Sequence, residues 1–168
     1  DALGRPQWAS GTHVLSDALF SLLRPGDTLL SITGKPYDTL EDVIGIANSG
    51  VGNGSLKDWG INYDQVNLTE SDEFDIPKIM NAITNPKIKV VFIQRSRGYE
   101  WRKSLTVDKI EQVIDIIRKQ RPDIYIVVDN CYGEFTEEKE PSHAGADLVV
   151  GSLIKNPGGG LAPTGGYA

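Results

Sequence analysis

Residues 124–128 read Ile-Tyr-Ile-Val-Val, a strand whose side chains are apolar toward both faces. Burial on both sides is what a central strand of a parallel sheet requires, because the crossover helices of such a sheet cover both of its faces. The rest of the chain keeps to that plan. Strands are predicted at Thr28 to Thr33, Gln65 to Leu68, Ile88 to Gln94 and Leu148 to Val150. Between them lie segments with helical spacing of apolar residues. One runs from a Ser10-Gly11-Thr12-His13 start through Val14, Leu15, Ala18, Leu19, Leu22 and Leu23 to a stop at Arg24-Pro25. Others cover Asp38 to Ala47, Ile76 to Ile83 and Thr106 to Gln120, the last with Val107, Ile110, Val113, Ile114 and Ile117 on one face. Strand and helix alternate without an internal repeat, so the expected fold is α/β: a mostly parallel sheet with helices on both faces.

The 168 residues suffice for one sizeable core and fall short of two. A net charge of -6, with no block of Lys and Arg, argues against a nucleic-acid surface. Apolar runs are too short for a membrane span. One cysteine, Cys131, allows no internal disulfide, which suits a reducing cytoplasm. The chain opens at Asp1 rather than at methionine and stops at Tyr167-Ala168, where a new strand is starting, so the expectation is an excised fragment that lacks parts of its site.

In sheets of this kind ligands sit at the carboxyl ends of the strands, and the polar residues collect there. Lys155 follows the Leu148 to Val150 strand at once and precedes Gly158-Gly159-Gly160. A lysine delivered there is expected either in a buried site that shifts its pKa, as a Schiff-base lysine needs, or in water as a loop residue. Asp129 closes the apolar strand and needs a cationic partner, a salt bridge or the cap of the next turn through Asn130, because an isolated buried carboxylate is costly. Gly11 and Thr12 open a helix whose first N–H groups lack intrahelical partners, a setting that binds phosphate or simply forms an N-cap. Tyr37 stands where a strand hands over to a helix, as ligand contact or as packing. Arg95 and Arg97 either hold an anion or carry solvated loop charges. Gly50, Gly52 and Gly54 imitate a dinucleotide fingerprint without its strand and helix, and the reading is discarded; the turn after Lys155 likewise lacks the ending of a phosphate loop.

Several ordered words make a resemblance: Asp129-Asn130-Cys131-Tyr132, Ala144-Gly145-Ala146-Asp147-Leu148-Val149-Val150-Gly151-Ser152, and Lys155. They are similar to the core of fold-type-I pyridoxal-phosphate enzymes of the cystathionine lyase and methionine lyase group. Ser10 to His13, Gly34 to Glu41 and Pro157 to Gly166 resemble one branch of it, the aluminium-resistance proteins related to cystathionine beta-lyase. The resemblance implies the large cofactor-binding domain of such an enzyme, lacking its N-terminal arm and C-terminal domain. It implies that Lys155 carries pyridoxal 5'-phosphate as a Schiff base and moves the substrate's α proton, and that Asp129 pairs with the pyridine nitrogen. Gly11, Thr12 and Ser152 would hold the phosphate. Tyr37 would stack on the ring and act as acid or base toward the leaving group. No metal is implied.

Two positions depart from the family pattern. Ile154 stands where relatives have a phosphate-binding threonine, and Gln94 to Tyr99 replaces an Asn-Pro pair near the ring hydroxyl. The expected activity is cleavage of a carbon–sulfur bond in a sulfur amino acid by a cytoplasmic homodimer or homotetramer, the fragment alone being inactive. The alternatives are another pyridoxal-phosphate reaction, such as transamination or racemisation, and a cofactor-free structural core.

Overall fold

The computed structural model describes residues 2–47 and 54–168. Its elements are α1 Gly11–Leu22, β1 Thr28–Ser31, α2 Asp38–Ile44, β2 Asn62–Gln65, α3 Ile76–Ala82, β3 Ile88–Gln94, α4 Val107–Gln120, β4 Tyr125–Asp129, β5 Leu148–Ser152 and β6 Gly166–Tyr167. The strands form one sheet in the order β2-β1-β3-β4-β5-β6. All neighbours are parallel except β5 and β6.

The two faces of the sheet explain the unbroken apolar runs. Toward one side Leu30, Val91, Ile93, Ile126 and Val128 pack against Ile79 of α3 and the Ile110, Val113, Ile114 and Ile117 stripe of α4. Toward the other, Leu29, Val90, Phe92, Val127 and Val150 meet Val14, Leu15 and Leu19 of α1 and Leu40 and Ile44 of α2. Successive strand residues point to opposite faces, so each strand feeds both cores.

Local chemistry sets the helix ends. The side chains of Ser10, Asp75 and Thr106 accept the N–H groups of His13, Lys78 and Lys109, satisfying donors that the first turn leaves unpaired. At the far end of α2, Gly45 takes the left-handed conformation that closes a helix.

One strand differs from the sequence expectation. The predicted strand at 65–68 lies at Asn62–Gln65, paired with β1 from Thr28↔Asn62 to Ser31↔Gln65. The apolar Val66 and Leu68 that suggest a strand pack on the α3/α4 core from the following loop. At the sheet edge, pairing with β1 rather than apolar pattern decides the register. Of the discarded glycine fingerprint, Gly50 and Gly52 lie outside the described residues.

Candidate active site

A cleft of about 330 Å³ opens at the carboxyl ends of β1, β3, β4 and β5. It is lined by Gly11, Thr12, Tyr37, Asp129, Ser152 and Lys155, together with the loop after β3. Residues separated by more than a hundred positions meet because parallel strands all end on the same side of the sheet.

Asp129 ends β4 and is 2% exposed. Its Oδ1 accepts the Cys131 N–H at 3.0 Å, so the turn-capping alternative is realised in part. That bond leaves the charge uncompensated: among the described residues no cationic side chain forms an ion pair with Asp129. Burial pushes its carboxyl above the ordinary carboxylate range, opposed by the Cys131 hydrogen bonds and more weakly by the charge of Lys155. A carboxylate kept in so costly a place favours a cation in the cleft.

The pH dependence follows from the sign of that shift. Below about 3.8 the carboxyl is protonated folded and unfolded alike and costs nothing. As pH rises the unfolded chain releases the proton while the folded chain resists, so stability is lost. In ligand-free protein Asp129→Asn, which keeps the oxygen acceptor for Cys131 N–H, should raise the thermal midpoint at neutral pH and lose that advantage near pH 4. An equal midpoint at both pH values would contradict the unpaired-carboxylate account.

The N-terminus of α1 faces the same cleft. His13 N–H goes to Ser10 Oγ at 3.1 Å and Val14 N–H to Ser10 O at 3.1 Å, whereas the N–H groups of Gly11 and Thr12 donate to no described group. Two free donors and the positive end of a twelve-residue helix favour an anion. Ser152, 5% exposed, lies directly against this end. A Cβ at position 11 would come within 2.8 Å of the Ser152 Cβ, so glycine is required for α1 to approach β5 this closely.

Tyr37 is the residue before α2 and gives its backbone N–H to Gln94 Oε1 at 3.1 Å. Burial pushes its hydroxyl well above the ordinary phenol range; the nearby Asp129 carboxylate and the Cys131 thiol add to this, and hydrogen bonds to Thr12 and Thr39 offset part of it. It enters the cleft as a neutral phenol, able to donate a proton but slow to lose one.

Lys155 departs from the buried-lysine expectation. It sits in the turn after β5, partly exposed, and donates to the Tyr132 hydroxyl at 2.6 Å, with its Nζ 4.4 Å from that ring's centre. Its pKa is raised, first by the Tyr132 hydrogen bond; the desolvation that would lower it is the weaker effect. The turn lies at the mouth of the cleft, where water still reaches the ammonium.

The arginines separate. Arg95 is 2% exposed and bound by its own chain, so it is not free for a ligand. Arg97 is exposed and lies over the Trp101 ring, 5.4 Å from its centre. Ile154 is 48% exposed and supplies no polar contact where a threonine is usual. Sequence reasoning gave no role to Tyr132, Gln94 or Glu134. Tyr132 belongs to the Asp129-Asn130-Cys131-Tyr132 word, but its reach to Lys155 depends on a backbone φ of 67° that composition does not show. Glu134 is 4% exposed and accepts from the Tyr167 hydroxyl at 2.9 Å; in sequence it passes for part of the solvated acidic run that ends at Glu140. Among the described residues no cluster of His, Cys, Asp and Glu could hold a metal ion, and no helix is long and apolar enough to cross a membrane.

The model of the methionine gamma-lyase family matches residues 1–168, the whole chain. The chain belongs to that family. Within and around the family, it is 56% identical over 165 residues to the YnbB protein of Bacillus subtilis, covering 98% of this chain and 39% of that one. A Listeria monocytogenes protein that carries the name of a cystathionine beta-lyase involved in aluminum resistance superposes with a TM-score of 0.90 at 54% identity, over 98% of this chain and 40% of that one. The methionine gamma lyase CalE6 of Micromonospora echinospora shares the fold, with a TM-score of 0.72 at 22% identity over 98% of this chain and 38% of that one. The chain therefore spans about two fifths of the length of each of these proteins.

Proposed function

We propose that the protein containing this chain is a pyridoxal-phosphate-dependent carbon–sulfur lyase acting on a sulfur amino acid. The observation that carries the reading is the joint placement, around one cleft, of an amine, a buried unpaired carboxylate and a helix start with free N–H donors. Each suits one part of pyridoxal phosphate: Lys155 its aldehyde, Asp129 its ring nitrogen, and Gly11 and Thr12, with the Ser152 hydroxyl, its phosphate. Names of relatives point to the same chemistry, since a Clostridium novyi protein with 51% identity is called a carbon-sulfur lyase involved in aluminum resistance.

Bound there, the cofactor supplies an electron sink for the pair left behind when the substrate's α C–H bond breaks. The chain's own residues do the rest. Asp129 holds the ring nitrogen in its protonated form by its charge, in a site where low water content strengthens that attraction. Lys155 Nζ takes the α proton and returns it. Tyr37, neutral by virtue of its burial, orients the ring and offers its hydroxyl proton to the departing sulfur. Ser152 and the α1 N-terminus fix the phosphate end, so the reacting carbon is presented to Lys155 in one orientation.

A cytoplasmic homodimer or homotetramer and a small amino-acid substrate belong to the same proposal. The isolated 168 residues, about two fifths of such an enzyme, are expected to turn over poorly. The test is turnover of the full-length protein on a panel of sulfur amino acids with pyridoxal phosphate added. Release of a thiol and ammonia with a 2-oxo acid supports the lyase; pyruvate marks β elimination from cystathionine and 2-oxobutanoate marks γ elimination from methionine. Amino-group transfer or racemisation without thiol release would contradict it.

A further inference from the structure

Arg95 presents a puzzle that the proposed chemistry does not absorb. A guanidinium 2% exposed at the end of a central strand, beside the cleft, contacts no part of the cleft itself. Instead it is spent on the turn that follows β4. Its Nη1 donates to Asn130 Oδ1 at 2.7 Å and to Gly133 O at 2.9 Å, its Nη2 to Thr136 Oγ1 at 3.2 Å and to Glu137, and its Nε to Leu105 O at 3.2 Å. Gly133 is pressed against it: a Cβ there would lie 2.5 Å from Nη1 and 2.7 Å from Cζ. A planar donor fork with several fixed acceptors holds a turn in one shape.

The shape so held is a strained one. Tyr132, between Asn130 and Gly133, has φ of 67°, the left-handed region that a bulky side chain normally avoids. Such a conformation is costly for a bulky side chain and persists only where the surroundings impose it. The consequence is visible at the cleft: the Tyr132 hydroxyl is placed 2.6 Å from Lys155 Nζ, although the tyrosine is 56% exposed and nothing in its own burial would fix it there.

We propose that Arg95 is a positioning residue, which by clamping the turn after β4 forces Tyr132 onto Lys155, and that Tyr132 thereby fixes where the ammonium sits and how readily it gives up its proton. The other groups acting on Lys155 are Cys131 and Asp129 from the end of β4 and Tyr99 from the loop after β3. Tyr132 differs from them in bonding the nitrogen directly, and the bond favours the charged amine, so removing the hydroxyl should release the proton at lower pH. The functional meaning of this coupling rests on Lys155 being the cofactor lysine; the coupling itself does not.

The experiment is competitive acetylation of the full-length, cofactor-free protein with acetic anhydride across a pH series, with each lysine followed by peptide mass spectrometry. Tyr132→Phe should move the labelling midpoint of Lys155 to lower pH while exposed Lys119 stays where it was. Gly133→Ala, which keeps the Tyr132 and Lys155 side chains and sets its new Cβ against Arg95, should shift Lys155 in the same direction. Unchanged Lys155 midpoints in both variants would overturn the proposal. A shift in Tyr132→Phe alone would overturn the clamp assigned to Arg95. A parallel arm with pyridoxal phosphate separates the two readings: wild-type protein that never attaches the cofactor to Lys155 defeats the lyase reading, whereas the acetylation midpoints decide the coupling in either case.

Discussion

Lys155→Ala is expected to leave the full-length protein folded and without measurable lyase turnover. Proton transfer by a positioned side chain is worth about 10²–10⁴-fold in rate, and this substitution also removes the amine that would anchor the cofactor, so the two losses compound. Stability should hardly move. The side chain is partly exposed and hydrogen-bonds the exposed Tyr132, the kind of surface change that shifts stability by about 0.5 kcal/mol or less. Turnover on the sulfur amino-acid panel and a denaturant titration, run on the same preparation, check both halves. Residual turnover within about tenfold of wild type would remove Lys155 from the chemistry.

The second large effect is on stability. Arg95→Ala deletes a buried guanidinium and strands the Leu105 carbonyl and Asn130 Oδ1, while the Gly133 carbonyl keeps its bonds from Thr136. It also frees Glu137, whose carboxylate accepts the Val107 N–H at 3.2 Å and so caps the start of α4. Breaking a buried charge network by removing one partner costs about 3–5 kcal/mol, against a total stability of about 5–15 kcal/mol for an ordinary domain. The expected result is a large drop in the urea midpoint with little change in slope. A loss under about 1 kcal/mol would mean that water satisfies those groups and that the turn does not depend on Arg95.

Both predictions bear on what could be read from the sequence. Elements with strong patterns were legible: the two-sided apolar runs at Ile88 to Gln94 and Ile124 to Val128 are central strands, and the Val107 to Ile117 stripe is the buried face of α4. Each buries an entire row of side chains, so tertiary structure and local pattern agree. At β2 they do not. An edge strand of mostly exposed residues has no apolar signature, and the pairing with β1 sets it three residues earlier than the Gln65 to Leu68 span that Val66 and Leu68 suggest.

The lining of the cleft was legible where a polar residue stands at or just beyond a strand end, as with Asp129, Ser152 and Lys155, because topology alone brings those ends together. What could not be read was conformation and state. The lysine's partner and the upward direction of its pKa depend on one left-handed residue, Tyr132, and on the setting of the turn after β4 around an arginine that sequence reading leaves open as an anion holder or a solvated charge. Long polar side chains near a site acquire their meaning from distances, and sequence spacing does not supply these.

The central claim is that Lys155 is the residue that takes pyridoxal phosphate, with Asp129 behind it. Full-length protein incubated with pyridoxal phosphate, reduced with borohydride and digested should show the reduced cofactor mass on the peptide containing Lys155, and Asp129→Ala should lower the fraction labelled at limiting cofactor. Label confined to another lysine, or no label on any lysine at saturating cofactor, would contradict the account.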